Sequence, residues 1–438
     1  MDNNIGVKDI EQDLTAIIKG GQKPSGKVKL SGAKNSATRL LAASLISDEE
    51  VKFENFPTKL VDVKHKIRFI ENVGGKVRIN DQNEALHVNS ADLIDRILES
   101  YDYPIRTTYL LVAGLIKKTG VAKIPYPGGC KIGNRGYDLH TLVWEKLGAT
   151  VEEKKDYILV KAPGGFHASE ISFPITTIGG TENALICAST IDDVTTIKNA
   201  YVSPEVEDLI KFLRSMGAKI EVSGNSKILI EGKDYLKGGD FSVMPDRIEA
   251  ITWLTYSIIS GGDITIEDVP FDSLKIPFEH IREAGVDFFI NKHAIRVSPD
   301  CLVNGSIQPF EVATGTHPGV ISDMQPFYVL MGLFADGISR VYDYRYPERV
   351  TYLEELSKFF PDQLEWESGK IIIHGSSNTV PKAAEATSTD LRGSIALILA
   401  ALLADQGTSK INKVEMALRG YNNLAKKLQN LSVGIETR

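Results

Sequence analysis

One unit recurs along this chain: a helix-like segment, a small-residue turn that contains glycine, and two short strands. The clearest copies carry their glycine at intervals of about 70 residues, at positions 74, 148, 217 and 285. In the first copy the glycine is followed by Lys76-Val-Arg-Ile and, after a polar turn, by Ala85-Leu-His-Val. Glycine after the last helical turn is the usual left-handed cap, and apolar alternation is typical of a half-buried strand. The repeat therefore predicts an α/β fold built from helix–strand units.

Two degenerate copies extend the repeat to six units. Phe359-Phe-Pro-Asp-Gln-Leu precedes Lys370-Ile-Ile-Ile, and the last copy is Asn430-Leu-Ser-Val-Gly-Ile-Glu near the C-terminus. Because 438 residues exceed what one hydrophobic core usually supports, six units predict two domains of three units each. An open solenoid is the second alternative, since the period is long for a solenoid repeat and helices alternate with hairpins.

The charge balance is evidence against a polyanion as the main partner. Lysine and arginine number 50 and aspartate and glutamate 57, so the formal net charge is −7, which argues against nucleic acid. A small anionic ligand remains open, because arginines can be concentrated locally. The three cysteines, Cys130, Cys187 and Cys301, lie far apart without metal-type spacing, which predicts free thiols in a reducing compartment.

No segment is typical of export or of membrane insertion. The N-terminal residues lack an apolar stretch flanked by basic residues, so we expect no signal peptide. The longest apolar stretch, residues 395–404, is too short to span a bilayer and predicts a buried helix. The sequence therefore predicts a cytoplasmic protein without membrane contact.

A glycine-rich loop, residues 126–140, presents a single thiol among cations. It reads Tyr126-Pro-Gly-Gly-Cys-Lys-Ile-Gly-Asn-Arg-Gly-Tyr-Asp-Leu-His. Glycines allow the backbone to approach a ligand closely, and a nearby cation lowers a thiol's pKa toward neutrality. Cys130 is therefore a candidate nucleophile or proton donor toward an anion. A surface turn with an incidental cysteine explains these residues equally well.

Further polar residues stand at the starts of predicted apolar helices, where backbone N–H groups favour anions. Lys34 and Asn35 open one helix, and Arg106 precedes another. Thr176-Thr-Ile-Gly-Gly-Thr-Glu-Asn opens a third; its donors suit phosphate, and the alternative is an N-cap at Thr181, which is a common arrangement.

The C-terminal half repeats this arrangement. Asp323 precedes an apolar helix and is either its N-cap or a general base, with the cap the safer interpretation. The remaining charged positions of this half are Arg345, Arg349, Asp390, Arg392 and Arg419. A residue of this kind, taken alone, is more often a solvated charge. Together these residues suggest an anion site.

Six motifs, taken together, resemble the enolpyruvyl transferases, above all the branch that acts on UDP-N-acetylglucosamine. They are Ser31-Gly-Ala-Lys-Asn, Pro127-Gly-Gly-Cys-Lys-Ile-Gly-Asn-Arg with Asp138-Leu-His, Pro245-Asp-Arg-Ile-Glu, Asp323-Met-Gln, Thr389-Asp-Leu-Arg and Leu418-Arg-Gly-Tyr. The resemblance runs in order from about Lys27 to the C-terminus. The branch that acts on shikimate 3-phosphate lacks the loop cysteine.

The resemblance implies a two-domain inside-out α/β barrel, with helices inside and sheets outside each domain. We place the chain crossings near Lys34 and Pro245. Domain 1 is then discontinuous, with residues 1–33 and 246–438, and domain 2 comprises residues 34–245 with the cysteine loop. A monomer or a weak homo-oligomer is expected.

The resemblance also implies an activity: transfer of the enolpyruvyl group of phosphoenolpyruvate to the 3-hydroxyl of UDP-N-acetylglucosamine, the first committed step of peptidoglycan synthesis. Phosphate is released, and no metal or organic cofactor is needed. Cys130 would be the general acid at C3 of phosphoenolpyruvate and the target of fosfomycin, and Asp323 would deprotonate the sugar hydroxyl.

Binding roles follow residue by residue from the same resemblance. Lys34, Arg135 and Arg419 would hold the phosphate and carboxylate of phosphoenolpyruvate. Asn35 would contact the sugar, Arg106 would lie near the sugar nucleotide, and Arg349, Asp390 and Arg392 would line the cleft. The remaining expected substrate-binding residues are Gly136, Tyr137, Asp138, Leu139, Thr177, Ile178, Gly179 and Arg345.

Several substrate-facing positions depart from the family pattern. Gly136-Tyr137 replaces Pro-Val, Arg345 replaces an apolar residue, and Lys34-Asn continues Ser-Ala-Thr-Arg where Ala-Ala-Leu-Pro is usual. Two alternatives therefore stay open: an enolpyruvyl transferase for another uridine nucleotide, and a catalytically silent nucleotide-binding paralogue. An extra cation at Arg345 would suit a more anionic acceptor.

Overall fold

The computed structural model describes residues 13–97, 107–126, 136–224, 226–405 and 407–438. Within these ranges the chain is a mixed α/β structure. Its strands, in chain order, are β1 (Thr15–Lys19), β2 (Ser25–Lys29), β3 (Val51–Glu54), β4 (Lys76–Asn80), β5 (Ala85–Asn89), β6 (Val121–Pro125), β7 (Thr150–Glu153), β8 (Tyr157–Lys161), β9 (Glu170–Ser172), β10 (Val194–Lys198), β11 (Lys219–Ser223), β12 (Lys227–Glu231), β13 (Gly239–Ser242), β14 (Asp263–Glu267), β15 (Phe289–Ile290), β16 (Ala294–Val297), β17 (Glu311–Thr314), β18 (Ile338–Asp343), β19 (Leu364–Glu367), β20 (Lys370–His374), β21 (Glu385–Thr387), β22 (Thr408–Asn412) and β23 (Glu436–Thr437).

Helices alternate with these strands along the chain. They are α1 (Lys34–Ala43), α2 (Val61–Asn72), α3 (Val112–Thr119), α4 (Asp138–Lys146), α5 (Ile178–Ala188), α6 (Pro204–Met216), α7 (Arg247–Ser260), α8 (Lys275–Glu283), α9 (Gln325–Leu333), α10 (Thr351–Ser357), α11 (Leu391–Leu403), α12 (Glu415–Leu418) and α13 (Leu424–Asn430). Short 3₁₀ turns occupy Ser44–Ile46, Thr107–Leu111, Phe271–Ser273 and Ser322–Met324.

The predicted hairpins that follow the repeated glycines are confirmed. Each of the four glycines has positive φ, and the strand pairs β4–β5, β7–β8, β11–β12 and β15–β16 follow as antiparallel hairpins. At Gly74 the need for glycine is also steric, because a Cβ would lie 2.4 Å from the carbonyl oxygen of Asp92.

The described strands form six sheets with a common plan. Five sheets have four strands, in which two antiparallel strands extend a parallel edge pair. Their orders are β13-β3-β5-β4, β11-β12-β10-β9, β15-β16-β14-β2, β17-β18-β20-β19 and β21-β22-β1-β23. In the first four the two antiparallel strands form a hairpin, whereas in the fifth they are β1 and β23. The sixth, β6-β8-β7, has three strands, and a single parallel bridge between Ile97 and Lys123 lies where the others have their fourth strand.

Contacts divide the chain into two compact units. Unit 1 holds the described residues up to Ser31 together with Pro245–Arg438, and unit 2 holds those from Gly32 to Met244. Three of the six sheets belong to each unit. The chain therefore leaves unit 1 after Ser31 and returns to it after Met244, while the sequence had placed the crossings near Lys34 and Pro245.

Each unit has its own core, and apolar helices fill it. In unit 1 every residue of α7 and α9 is buried, and so are nearly all residues of α11, which includes the apolar stretch predicted as a buried helix. Strands such as β18 alternate between buried and more exposed residues. In unit 2 the helices α1, α3 and α5 take the equivalent place. Helices that are apolar on all sides are buried on all sides, whereas the strands are half-buried.

None of the helices in the described ranges combines the length and the apolar character that are needed to span a bilayer.

Candidate active site

A network of four charged side chains occupies unit 1, and Asp323 is its most exposed member. Arg349 lies between two carboxylates: its Nη1 donates to Asp323 Oδ1 at 2.7 Å, and its Nη2 donates to Asp390 Oδ1 at 3.2 Å. Arg392 approaches Asp323 from the other side, with Nε 3.5 Å from Oδ2. The Asp323 side chain is 28% exposed, while the other three are 4% exposed or less.

The position of Asp323 corrects the interpretation of this residue as a helix cap. It lies in the 3₁₀ turn before α9, whose N-cap is Met324 without a side-chain cap hydrogen bond. The Asp323 carboxylate faces Arg349 and Arg392 instead. Its surroundings are therefore those of an ion-paired carboxylate, which local sequence could not distinguish from a cap.

Asp390 is the true helix cap of the network. Its Oδ1 accepts the backbone N–H groups of Arg392 at 3.0 Å and Gly393 at 3.2 Å, so it is the N-cap of α11. The helix begins at Leu391. Gly393 permits this packing, because a Cβ there would lie 2.5 Å from Cβ of Tyr352.

The two arginines are held charged inside unit 1. Burial alone would lower the pKa of Arg349, but Asp323 and Asp390 more than compensate and raise it. Burial likewise opposes the charge of Arg392, whose pKa is raised by Tyr421 and Asp323. The Arg392 guanidinium also lies over the Tyr421 ring, with its carbon 5.3 Å from the ring centroid.

Two further side chains, Asp343 and Ser322, support this network and were not predicted from the sequence. Asp343, at the end of β18, accepts from Ser322 Oγ at 2.5 Å and from the backbone N–H groups of Arg345 and Tyr346 at 3.2 and 2.9 Å. Ser322 is in turn 3.3 Å from Arg349 Nη1. An aspartate that ends an alternating strand and precedes a turn is the signal that could have revealed it.

The other predicted residues of unit 1 lie at different depths. Arg345 is exposed in the turn after β18. Arg419 is 4% exposed and is the C-cap residue of α12, so it ends one helix as well as preceding the next.

In unit 2 the predicted residues Lys34 and Asn35 open α1, where they meet a second charged cluster. Lys34 Nζ is 3.1 Å from Asp62 Oδ2. One turn farther along, Arg39 Nε donates to Glu182 Oε1 at 2.8 Å, and its Nη1 lies 3.4 Å from Asn35 Oδ1. No role was predicted for Arg39 or Glu182 from the sequence.

Lys66 lies beside this cluster and is completely buried. Its Nζ donates to the carbonyl oxygens of Thr38 at 2.6 Å and Thr107 at 3.0 Å. Burial, together with the neighbouring charge of Arg39, lowers the pKa of Lys66 well below its usual range. The neighbouring residues Lys64, His65 and Arg68 are also charged or ionisable, so the local sequence offered no signal that this lysine is buried.

The predicted nucleotide-facing residues of unit 2 lie on two helices that pack together. Gly136 and Tyr137 precede α4, and Asp138 and Leu139 form its first turn. Thr177 caps α5 by accepting from the N–H of Gly180 at 3.2 Å, so the cap is Thr177 and not Thr181. Ile178 and Gly179 begin α5.

A close approach between these two helices explains one of the glycines. A Cβ at Gly179 would lie 3.2 Å from Nε2 of the buried His140. Tyr137 is fixed at the start of α4 by a hydrogen bond from its hydroxyl to Glu153. That hydrogen bond raises the pKa of Tyr137 to about 12. Tyr137 also lines a groove beside α4 with Gly136, Asp138 and Glu153.

Three of the predicted site residues, Arg106, Cys130 and Arg135, lie outside the described residues. The other two cysteines are free thiols in buried positions. Burial raises the pKa of Cys187 above its usual range and that of Cys301 to about 11, so both are poor nucleophiles. In the ranges that the structure covers, no group of three or more His, Cys, Asp or Glu residues is placed to hold a metal ion.

Known proteins resemble this chain over almost its whole length. The sequence profile of EPSP synthase (3-phosphoshikimate 1-carboxyvinyltransferase) matches residues 18–428. Two proteins named UDP-N-acetylglucosamine 1-carboxyvinyltransferase are 35% identical in Beijerinckia indica and 36% identical in Campylobacter hominis. The alignments cover 96% of this chain in both cases, and 97% and 98% of those relatives.

Solved structures share the fold at lower identity. The enolpyruvyl transferase NikO from Streptomyces tendae superposes with a TM-score of 0.85 at 22% identity, over 98% of this chain and 99% of that chain. EPSP synthase from Acinetobacter baumannii gives 0.72 at 13% identity, over 97% and 100%. The match of the family profile and the two relatives establish that this chain belongs to the EPSP synthase family of enolpyruvyl transferases.

Proposed function

We propose that this enzyme transfers the enolpyruvyl group of phosphoenolpyruvate to the 3-hydroxyl of UDP-N-acetylglucosamine, with release of phosphate. This is the first committed step of peptidoglycan synthesis. The relatives named above support this acceptor. The observation that carries the chemistry is the Asp323 carboxylate, which is partly exposed while Arg349 and Arg392 hold it from the buried side.

In the proposed reaction Asp323 is the general base. A general acid protonates C3 of phosphoenolpyruvate, and positive charge develops at C2. The sugar 3-hydroxyl attacks C2 while its proton passes to Asp323. Loss of a proton from C3 and cleavage of the C2–oxygen bond to phosphate then restore the double bond. Resemblance to the family assigns the acid role to Cys130, whose loop carries Lys131 and Arg135.

The buried arginines of unit 1 are suited to binding an anion. Nε of Arg349 and Nη1 of Arg392 are buried and make no hydrogen bond within the described part of the chain. Buried donors without a partner are costly, and a bound phosphate or carboxylate would supply one. Fixed arginines also stabilise the negative charge of the departing phosphate without reorganising. Asp390 orients Arg349, and we assign Lys34, Arg135 and Arg419 to phosphoenolpyruvate.

A second set of residues in unit 2 is assigned to the acceptor. Asn35 contacts the sugar, and Arg106 lies near the sugar nucleotide. The nucleotide contacts a set of residues at the starts of α4 and α5, which are Gly136, Tyr137, Asp138, Leu139, Thr177, Ile178 and Gly179.

We also propose the finer architecture and setting that the family implies. Each unit is a domain of three helix–strand repeats, and the two form an inside-out α/β barrel enzyme. The division of the chain after Ser31 and Met244 and the three sheets in each unit support this. The enzyme acts in the cytoplasm as a monomer or a weak homo-oligomer, without a cofactor.

A second candidate function is enolpyruvyl transfer to a different uridine nucleotide. Arg345, where an apolar residue is usual in the family, is exposed, and its turn is fixed by Asp343. An exposed cation at this position favours a more anionic acceptor.

Phosphate release from phosphoenolpyruvate, measured with each acceptor separately, tests the proposal. UDP-N-acetylglucosamine should support release, and UMP and shikimate 3-phosphate should not. Asp323→Asn should lower kcat about 10²- to 10⁴-fold, the usual contribution of a general base, and keep acceptor binding. Asp336→Asn, at an exposed carboxylate of the same unit, is the matched control.

The other outcomes identify the alternatives. Release with UMP alone would mean a different acceptor with the same chemistry. Binding of UDP-N-acetylglucosamine, without phosphate release from phosphoenolpyruvate in the presence of any acceptor, would mean a silent nucleotide-binding paralogue. Full activity of Asp323→Asn would contradict the role of Asp323.

A further inference from the structure

Arg39 is a partly exposed cation beside the proposed sugar contact. We propose that Arg39 determines acceptor specificity: with the amide N–H group of Asn35, it binds a neutral carbonyl oxygen on the sugar of the acceptor nucleotide. This inference rests on the proposed function, because it concerns the acceptor of that reaction.

Hydrogen bonds to neighbouring side chains hold the guanidinium of Arg39 through two of its three nitrogens. Its Nε donates to Glu182 at 2.8 Å, and its Nη1 donates to Thr38 Oγ1 at 3.0 Å and to Asn35 Oδ1 at 3.4 Å. Glu182 is 2% exposed, so it anchors the arginine from the core. Nη2 makes no hydrogen bond to the residues that the structure describes, and 16% of the Arg39 side chain is exposed.

The same contacts determine which atoms Asn35 offers to a ligand. Arginine is only a hydrogen-bond donor, so the Asn35 atom that faces Arg39 must be the carbonyl oxygen. The Nδ2 group of Asn35 is then turned elsewhere as a donor. Asn35 and Arg39 are one helical turn apart on α1, so together they present two donors on one face. A pair of donors recognises an oxygen that can accept twice.

The local charge favours a neutral oxygen over an anion. Glu182 neutralises Arg39. Burial disfavours the charged form of Lys66, so it adds less to the local field than its residue type implies. A phosphate that approached the Arg39 guanidinium would therefore find little net positive charge there. An amide carbonyl, as in a 2-acetamido sugar, accepts two hydrogen bonds without needing a counter-ion.

Calorimetric titration of the acceptor into the protein tests this role of Arg39. The ligands are UDP-N-acetylglucosamine, which has the amide carbonyl, UDP-glucose, which lacks it, and UDP, which lacks the sugar. Arg39→Met should weaken binding of UDP-N-acetylglucosamine about 10- to 100-fold, as expected for loss of hydrogen bonds from a charged donor. Binding of UDP-glucose should fall by a smaller factor, and binding of UDP should be unchanged.

Two further variants keep the test decisive. Arg39→Met leaves Glu182 buried without its partner, so the double variant Arg39→Met/Glu182→Gln removes that charge and should show the same selective loss. Arg78→Met is the matched control, because Arg78 is an exposed arginine of the same unit that pairs with Glu50 at the surface. Thermal unfolding of each variant establishes that it is folded.

The two proposals fail in different ways. If the wild-type protein binds UDP-N-acetylglucosamine and the folded double variant keeps the wild-type ratio of the three affinities, the role of Arg39 is overturned and the proposed function stands. If the wild-type protein does not bind UDP-N-acetylglucosamine, the proposed function itself is overturned, and the inference with it.

Discussion

At the scale of single residues, buried charges in both units are compensated at short range. Arg349 lies between Asp323 and Asp390, and Arg39 pairs with Glu182. Removing one partner of such a pair leaves the other charge buried and uncompensated in a medium of low dielectric. This typically lowers the free energy of unfolding by about 3–5 kcal/mol. Substitutions in these networks must therefore be judged on folding and on activity separately.

Asp208 differs from these ion-paired residues because the hydrogen bonds that its carboxylate accepts come from neutral donors. It is 5% exposed on α6 and accepts hydrogen bonds from Ser36 Oγ and, at 3.3 Å, from the N–H of Met244. Burial raises its pKa from 3.8 to about 6, although these hydrogen bonds oppose the change. Between pH 4 and pH 6 the folded protein therefore binds a proton that the unfolded chain releases.

We predict that Asp208 makes unit 2 less stable as the pH rises through that window. Because the folded pKa is raised, its contribution is fully present below pH 4 and is lost by pH 6, with an amplitude of about 3 kcal/mol at 1.36 kcal/mol per pKa unit. Asp208→Asn should remove this part of the pH dependence. Urea unfolding of the wild type and the variant across pH 4–7 measures it.

The control for this prediction is Asp156→Asn, which changes an exposed aspartate of the same unit. It should keep the pH dependence of the wild type. If Asp208→Asn keeps it as well, burial does not raise the pKa of Asp208 in the way described.

At the scale of residues, the sequence indicated which charged side chains are candidates, but it did not indicate which side chains they pair with. Lys34, Asp323, Asp390 and Arg349 could all be named as candidates, because their motifs are local. The partner of Asp323 lies 26 residues away in the chain, and local pattern favoured the commoner role of a helix cap. Arg39 was overlooked for the same reason, since its partner Glu182 is 143 residues distant.

At the scale of elements, α11 shows how one residue can cap a helix and orient a buried arginine. Asp390 accepts from two backbone N–H groups of α11 and from Arg349. The start of the helix and the position of the arginine are therefore linked through one carboxylate.

We predict that Asp390→Ala destabilises the protein by about 3–5 kcal/mol, because it removes the cap and leaves Arg349 with one carboxylate fewer. Asp390→Asn keeps an oxygen for the cap and should cost less. Ser203→Ala removes only a cap, that of α6, and should cost about 1 kcal/mol. Chemical denaturation compares the three, and an equal cost for Asp390→Ala and Ser203→Ala would contradict the linkage.

Elements were the most predictable level of this structure. Apolar alternation after a glycine cap is determined by neighbouring residues, so the four clear hairpins and the buried helix α11 could be identified in advance. Boundaries were less certain, as the shift of the α5 cap from Thr181 to Thr177 shows. Both threonines suit a cap chemically, and tertiary packing decides between them.

At the scale of the whole molecule, the repeat is completed by strands that are distant in sequence. The last sheet places β1 between β22 and β23, so the N-terminal strand supplies the centre of a sheet that the C-terminal residues close. In the same unit β2 pairs in parallel with β14. The repeat indicated six units, but it could not indicate these pairings, because they depend on where the chain returns and not on local periodicity.

The identity of the product tests the proposed reaction most directly. After incubation of the protein with phosphoenolpyruvate and UDP-N-acetylglucosamine, NMR of the purified nucleotide product locates the new bond. We predict one enolpyruvyl ether, on the 3-oxygen of the N-acetylglucosamine ring, with one phosphate released for each ether formed. An ether on another oxygen, or phosphate release without an ether, would contradict the proposed reaction.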